Sequence, residues 1–308
     1  MPDIVISEFM EEQAVAGLAT DYDVRYDPGL VERTDELLAT VARARALIVR
    51  NRTQVRRVLL DAATELKVVG RLGVGLDNID IEACDARSIT VVSATGANAD
   101  AVAEYVIAGV LMLLRGPYQA TSEVLRGAWP RTELIGREIG GKTLGLIGFG
   151  AIARAVAVRA IALGMRVIAH DPFVKEDESI WVQLSVSPYA LMDVLKESDA
   201  VSLHVPLTAQ TQRLIDRDGL RVMKASAVLI NSSRGGVVDE HALAEALQSG
   251  RLAGAMLDVF ENEPLPADSH LVGVPNLLLT PHIAGLTQEA NQRVSEMIAT
   301  GVRRMLEG

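Results

Sequence analysis

A chain of 308 residues lies above the size at which one hydrophobic core usually stops growing, so two domains are expected. With 49% hydrophobic and 23% charged residues it has the composition of a folded globular protein and not of a disordered one. A net charge of −10 with no Lys/Arg run repels phosphate backbones, which argues against nucleic acid as a direct partner. No apolar run approaches the ~20 residues that cross a bilayer. Met1-Pro2-Asp3 lacks the basic start of a targeting signal, so a cytoplasmic location is expected. The single Cys84 cannot close an internal disulfide and reads as a small core hydrophobe. Without a histidine cluster beside it, no metal site is expected.

In chain order, β-rich segments at 3–9, 23–26, 46–49, 67–70 and 90–92 alternate with helical periodicity at 11–18, 35–42, 54–63 and 81–86. Such alternation predicts a parallel sheet covered on both faces. Residues 98–114 then form one long helix, apolar almost all round through Ala101, Val102, Val106, Ile107, Val110, Leu111 and Leu114. That pattern predicts burial on several sides, as at a domain junction or a subunit interface. A second alternating series follows, with strands at 166–169, 200–204, 227–230, 254–259 and 277–280 and a closing helix at 288–306. The expected fold class is α/β with two doubly wound parallel-sheet domains.

The second series opens on T-L-G-L-I-G-F-G-A-I-A from Thr143, an apolar strand that breaks at Gly148-Phe149-Gly150 and enters an alanine-rich helix. Here Gly148 would make a tight bend, Gly150 would let the backbone approach a pyrophosphate, and Ala153 would let the helix pack closely on the strand. Ala151 and Ile152 would present the free N–H groups and positive dipole end of that helix to the phosphates. Alone, a glycine pattern of this kind also fits an ordinary strand-to-helix turn. The next strand ends in His170-Asp171-Pro172, placing Asp171 at the ~20-residue spacing of a carboxylate that holds a ribose hydroxyl. That carboxylate would repel a 2′-phosphate, and Pro172 and Phe173 supply no arginine to neutralise one, so NAD is expected over NADP despite Lys175 nearby.

Ligands of open parallel sheets bind beyond the carboxyl ends of the strands. Those ends are polar and glycine-rich: Arg50-Asn51-Arg52, Gly73-Val74-Gly75, His204-Val205-Pro206, Ser232-Ser233-Arg234-Gly235-Gly236, Asp258 with Glu261 and Glu263, and His282 to Gly285. Both rows are expected to converge on one cleft. Duller readings stand beside this one, with Arg234 as a surface arginine after a strand and His282 as a residue that merely ends one. Glu261 and Glu263 are not distinguished by position alone. His170 flanks Asp171, and His241 and His270 read as solvated.

Taken together, R-L-G-V-G-L-D-N-I-D from Arg71, N-A-D-A-V-A-E-Y from Asn98, G-K-T-L-G-L-I-G-F-G from Gly141, N-S-S-R-G-G from Asn231, D-V-F-E-N-E-P from Asp258 and P-H-I-A-G from Pro281 are similar to the D-isomer-specific 2-hydroxyacid dehydrogenases. The resemblance covers nearly the whole chain. It implies an NAD-dependent oxidoreductase with a flavodoxin-like substrate domain, residues 1–95 plus 285–308, and a Rossmann NAD-binding domain, residues 96–284. It further implies that Arg234 holds the substrate carboxylate and carbonyl, that His282 is the acid/base, and that Glu263 pairs with His282. Cofactor contacts are implied at Gly148, Gly150, Ala151, Ile152, Asp171, His204, Pro206, Ser232, Ser233, Asp258 and Gly285, with the nicotinamide amide near Asp258. Substrate contacts fall to Arg50, Asn51, Val74 and Gly75. The Gly127-Ala128-Trp129 segment resembles one that touches a neighbouring subunit in some relatives, which implies a homodimer built on the 98–114 helices.

These residue types suit the chemistry. Oxidising a 2-hydroxy acid removes the hydroxyl proton as hydride leaves the same carbon, and histidine is the side chain poised near neutrality for that proton. Arginine matches a carboxylate with two parallel hydrogen bonds and keeps its charge. Arg50, with Arg52 beside it, suggests a second anionic group on the substrate, phosphate or sulfonate, although Arg52 reads equally well as a solvated turn residue. The substrate choices are a 3-phosphoglycerate-like acid or sulfolactate, with hydroxypyruvate or glyoxylate reduction as the alternative. Phosphoglycerate dehydrogenases often carry a regulatory extension that is not found after Gly308. A further alternative is an NAD-sensing co-repressor that binds protein partners.

Overall fold

The computed structural model describes residues 2–307. Contacts within the chain divide it into two units, Met1–Asn98 with Leu286–Gly308, and Ala99–Gly285. The sequence reading sets the divisions at 95/96 and 284/285.

The first unit holds five strands, β1 (Ile4–Ile6), β2 (Val24–Tyr26), β3 (Ala46–Val49), β4 (Val68–Arg71) and β5 (Thr90–Ser93). All pairs are parallel and the order is β2-β1-β3-β4-β5, the flavodoxin-like arrangement. The apolar runs in these strands are continuous because both faces are buried. Alternate residues serve opposite cores: Val5, Leu47, Val49 and Val69 pack on one side, and Ile4, Ile6, Ala46, Ile48 and Val68 on the other. The second core is completed by the helix Gln288–Glu307, which contributes Val294, Ile298, Val302 and Leu306 at helical spacing.

The second unit holds seven parallel strands, β6 (Thr143–Ile147), β7 (Arg166–His170), β8 (Ser187–Pro188), β9 (Ala200–Leu203), β10 (Val228–Asn231), β11 (Gly254–Leu257) and β12 (Leu277–Leu279). Their order is β12-β11-β10-β9-β6-β7-β8. Strand order reverses at β6, which has β7 on one side and β9 on the other, and such a reversal opens a ligand crevice at the carboxyl ends. The register pairs Ile147 with Leu203. The Gly148 turn and His204 therefore leave the sheet side by side, joined by a hydrogen bond from the His204 N–H to the Ile147 carbonyl, 2.7 Å.

Two elements differ from the sequence reading. The helix Ala99–Arg115 packs Val102, Ala103, Val106, Ile107, Val110 and Leu114 against the seven-stranded sheet, but Asp100, Glu104, Ala108, Leu111 and Arg115 leave an exposed stripe along it. With Ala101 and Gly109 also buried, the helix is covered round most of its circumference, as its apolar pattern implied; the difference is Leu111, which lies on the exposed stripe. Strand β8, only Ser187–Pro188, gave no periodicity to read. As an edge strand it tolerates a proline that has no N–H to donate.

Candidate active site

At the end of β6, Gly148 takes φ +87°, and a Cβ there would lie 2.4 Å from the carbonyl oxygen of His204. Only glycine fits such a turn. At Gly150 the same test finds nothing within 4 Å, so the space outside the turn is open. Gly150 caps the helix Ala151–Ala162 without any side-chain hydrogen bond, which leaves the first N–H groups, those of Ala151 and Ile152 included, to an outside acceptor. Asp171 reaches back over the turn: its Oδ2 accepts from the Phe149 N–H at 2.7 Å and its Oδ1 from the Phe173 N–H at 2.9 Å. Each oxygen keeps a lone pair, as a ribose diol requires. His170 is tied to the Tyr189 carbonyl through Nδ1, 3.0 Å. Ser232 Oγ, just past β10, is buried with no hydrogen-bond partner among the described residues. A buried hydroxyl left over at a strand end, an uncapped helix N-terminus and a glycine cradle together fit a dinucleotide.

Beyond β10, Asn231 is buried and folds the next turn onto itself. Its Nδ2 donates to the Arg234 carbonyl at 2.9 Å, and its Oδ1 accepts from the Ser233 N–H and hydroxyl at 3.0 and 2.8 Å. Arg234 is half-buried, with Nη1 donating to the Ser233 carbonyl. Gly235 then presses on the loop after β11, where a Cβ would come within 1.8 Å of the Phe260 carbonyl oxygen. That contact sets the arginine turn against the segment bearing Glu263. Glu263 Oε1 accepts from the Phe260 N–H at 3.1 Å, and Oε2 meets His282 Nδ1 at 2.8 Å. The neighbouring Glu261 N–H donates to the buried Glu240 carboxylate at 2.6 Å. Burial pushes the Glu240 carboxyl above its usual range. With Nδ1 engaged by Glu263, Nε2 is the imidazole nitrogen left for chemistry.

Asp258, expected at the nicotinamide, is fully buried and is committed to the protein itself. Its Oδ1 accepts from the Thr280 hydroxyl at 2.6 Å and the Ile283 N–H at 2.8 Å, and its Oδ2 from the Ala284 N–H at 2.8 Å. Its carbonyl accepts from the His282 N–H, 2.8 Å. His282 has φ +56°, a left-handed conformation uncommon outside glycine and asparagine. Gly285 follows directly, and Pro206 is exposed two residues beyond His204.

In the first unit, the loop after β3 is organised by a buried carboxylate that sequence reasoning missed. Glu8 accepts from the N–H groups of Arg50 at 2.8 Å, Thr53 at 2.9 Å and Arg52 at 3.1 Å, and Asn78 Nδ2 donates to the carbonyls of Arg50 and Thr53. Arg50 is half-buried; its Nη2 donates to Asn291 Oδ1 at 2.6 Å, and its guanidinium carbon lies 5.8 Å from the Phe9 ring centre. Burial lowers its pKa, without removing the charge of so strong a base. Arg52 points elsewhere, into an exposed ion pair with Glu32 at 3.1 Å. Asn51 is exposed, and Val74 and Gly75 are partly buried.

The family model for the NAD binding domain of D-isomer specific 2-hydroxyacid dehydrogenases matches residues 107–284. An (S)-sulfolactate dehydrogenase of Chromohalobacter salexigens is 55% identical over 99% of this chain and 99% of its own. A D-3-phosphoglycerate dehydrogenase of Methanocaldococcus jannaschii is 39% identical over all of this chain, which spans only 58% of that protein. A crystal structure of a Thermus thermophilus protein superposes with a TM-score of 0.90 at 36% identity, covering 99% of this chain and 97% of the other.

His204 gives the site a pH signature. Desolvation pushes its pKa from 6.5 down to about 3, so the folded chain keeps the ring neutral, with Nε2 3.0 Å from Ser202 Oγ. The unfolded chain takes up that proton near its ordinary pKa of about 6.5. Stability from the neutral ring is therefore complete above that value and is lost as pH falls toward 3. Thermal midpoints measured from about pH 7.5 to about pH 4.5 should fall less steeply for His204→Gln than for the parent chain, and equal slopes would contradict the assignment.

Proposed function

Because the chain belongs to the D-isomer-specific 2-hydroxyacid dehydrogenase family, we propose that its substrate is a D-type 2-hydroxy acid carrying a second anionic group, with (S)-sulfolactate as the acid it uses best. The enzyme is NAD-dependent and interconverts 2-hydroxy and 2-oxo acids. The sulfonate is spatially consistent with the D series, its S label following from the sulfur substituent.

The observation that carries the chemistry is the 2.8 Å pair of His282 Nδ1 and Glu263 Oε2. Glu263 fixes the tautomer and the ring orientation and stabilises the imidazolium, so that Nε2 takes the hydroxyl proton during oxidation and returns it to the 2-oxo group during reduction. Arg234 receives the substrate carboxylate as a planar, permanently charged partner. Backbone N–H groups of Val74 and Gly75, with Asn51, receive its other oxygen. NAD, when bound, supplies the nicotinamide that accepts or returns the hydride. Gly148, Gly150, Ala151, Ile152 and Asp171 would hold it on one side, and His204, Pro206, Ser232, Ser233 and Gly285 on the other.

The observation that carries the substrate is Arg50. Its loop is pinned by the buried Glu8, and its guanidinium is held half-buried by Asn291. Glu8 and Glu11 already act on its charge, and the guanidinium N–H groups not given to Asn291 suit a further anion, while Arg52 is occupied on the surface by Glu32. The 55% identity to a sulfolactate dehydrogenase over 99% of both chains supports sulfonate as that anion.

Homodimerisation belongs to the same reading, supported by the exposed Leu111 on the Ala99–Arg115 helix and the exposed Val124, Leu125, Trp129 and Ile135 after it. The proposal also places the protein in the cytoplasm, where both small reactants would be dissolved. Among the described residues no helix is long and apolar enough to cross a membrane.

Replacing His282 by Ala should lower kcat by about 10²- to 10⁴-fold while NAD affinity, read by fluorescence titration, stays put. Initial rates on (S)-sulfolactate, 3-phosphoglycerate, glycerate and D-lactate should give the highest kcat/KM on sulfolactate. Arg50→Ala should cut that value by roughly 10- to 100-fold, the loss of one charged hydrogen bond, and leave D-lactate, which has no second anion, nearly untouched. A parent enzyme that prefers D-lactate, or an Arg50→Ala loss equal on both acids, sinks the second-anion reading. Tight NAD binding with no turnover on any acid would point to a sensor instead. Light scattering should return twice the chain mass, reduced to one chain by Trp129→Asp with Leu125→Asp.

A further inference from the structure

The His282 segment is held from behind by a side chain that lies well away from it in sequence. The Tyr105 hydroxyl is 2.5 Å from Thr280 Oγ1, and Thr280 Oγ1 donates to Asp258 Oδ1 at 2.6 Å. A hydroxyl has one proton to give. Since that of Thr280 goes to the carboxylate, the Tyr105 contact must run the other way, with the phenol donating to Thr280. The result is a directed chain from Tyr105 to Thr280 to Asp258, whose Oδ1 and Oδ2 also accept from the N–H groups of Ile283 and Ala284 respectively. Burial, opposed only in part by the Thr280 hydrogen bond and reinforced by the Asp258 charge, pushes the Tyr105 pKa up to about 12. The phenol therefore stays protonated, and a donor, across any working pH.

Tyr105 lies on the helix Ala99–Arg115, whose neighbouring residues Val102, Val106 and Ile107 are packed into the core of the second unit. Its ring is thus carried by a rigid element, while Pro281, His282 and Ile283 are all exposed. The exposed histidine has an uncommon positive φ of +56°. Such a conformation persists only when surrounding contacts over-determine it.

We propose that Tyr105 is a positioning residue for the proton-transferring imidazole, fixing the Thr280–Ala284 segment through Thr280 and the Asp258 carboxylate. It touches neither substrate nor cofactor. Its effect is to hold Thr280 in the one rotamer that serves Asp258, so that the carboxylate keeps both its backbone donors and His282 keeps its aim at the reacting hydroxyl oxygen. The inference rests on His282 being the acid/base, and the His282→Ala turnover tests that separately.

The experiment compares Tyr105→Phe, Thr280→Val, Thr280→Ser and the double variant Tyr105→Phe/Thr280→Val, using whichever 2-hydroxy acid the parent enzyme turns over. Tyr105→Phe should lower kcat by about tenfold with KM for NAD unchanged, and Thr280→Val should lower it at least as far. In the Thr280→Val background the tyrosine change should have no further effect, because both substitutions cut one chain. Thr280→Ser, which keeps the hydroxyl, should recover most of the rate lost in Thr280→Val. Hydrogen exchange followed by mass spectrometry gives a reading independent of turnover: peptides spanning 280–285 should exchange faster in Tyr105→Phe while those of the Ala151–Ala162 helix do not. Effects of the two single variants that multiply in full overturn the proposal, as does a Tyr105→Phe enzyme with a lower thermal midpoint but parental kcat. If Tyr105→Phe fails to fold, the Thr280→Val and Thr280→Ser pair decides the matter by the same kcat and exchange readings, and equal rates in the two overturn it.

Discussion

A charge buried without water must be solvated by the protein, and at the candidate site that requirement falls on Asp258. An uncompensated carboxylate in an apolar interior is unfavourable by several kcal/mol. The chain meets the demand by bending residues 280–284 around it, so that a hydroxyl and two amides point inward and the Asp258 carbonyl takes the His282 N–H. The imidazole is thus placed by the solvation of its neighbour. Its own hydrogen bond to Glu263 then sets only the ring's rotation and tautomer.

The second constraint is how closely backbone can approach backbone. Four strand ends, β6 with β9 and β10 with β11, meet in pairs because glycine removes the side chain where loops touch. Gly148 lets the β6 turn lie against the His204 carbonyl, and Gly235 lets the Arg234 turn lie against Phe260. Any Cβ at either position would have to displace main chain, which cannot swing away as a side chain does. Arg234, Glu263 and His282 come from three separate loops, yet their relative placement follows from contacts among buried or backbone atoms. Exposed side chains of their kind are otherwise poorly ordered by surface ion pairing alone.

Much of this was legible in the sequence, for physical reasons that differ by element. Both parallel sheets announced themselves because fully buried strands are continuous apolar runs, and the β6 turn because its glycines are demanded by geometry. The pairing of His282 with Glu263 in place of Glu261 came from motif resemblance. The structure has Glu263 Oε2 at 2.8 Å from His282 Nδ1, while the backbone N–H of Glu261 turns to the buried Glu240. Tyr105, Thr280, Glu240 and Glu8 were not read as site residues. Each acts through a partner distant in sequence, and nothing local marks a tyrosine on a helix as the donor to a threonine beyond a strand. Glu8 left only the trace of a carboxylate inside the β-rich segment 3–9, and its burial shows only in the structure.

Glu8 repeats in the first unit the device that Asp258 supplies in the second. Both are buried carboxylates at strand ends, and both collect backbone N–H groups from the loop that bears a functional side chain. The consequence is a division of labour. The main chain of residues 50–53 is fixed by Glu8 and Asn78, so the Arg50 guanidinium, which donates to Asn291, is not needed to hold its own loop, and in the proposed role its other N–H groups would serve an anion. A lysine there would bring the charge but not the planar fork that can serve Asn291 and a tetrahedral oxyanion together. Under the proposed assignment, substrate choice would change at position 50 without disturbing the scaffold. The carboxylates beneath, whose loss would leave three amides unsatisfied at Glu8 and two amides and a hydroxyl at Asp258, are the residues that this architecture cannot exchange.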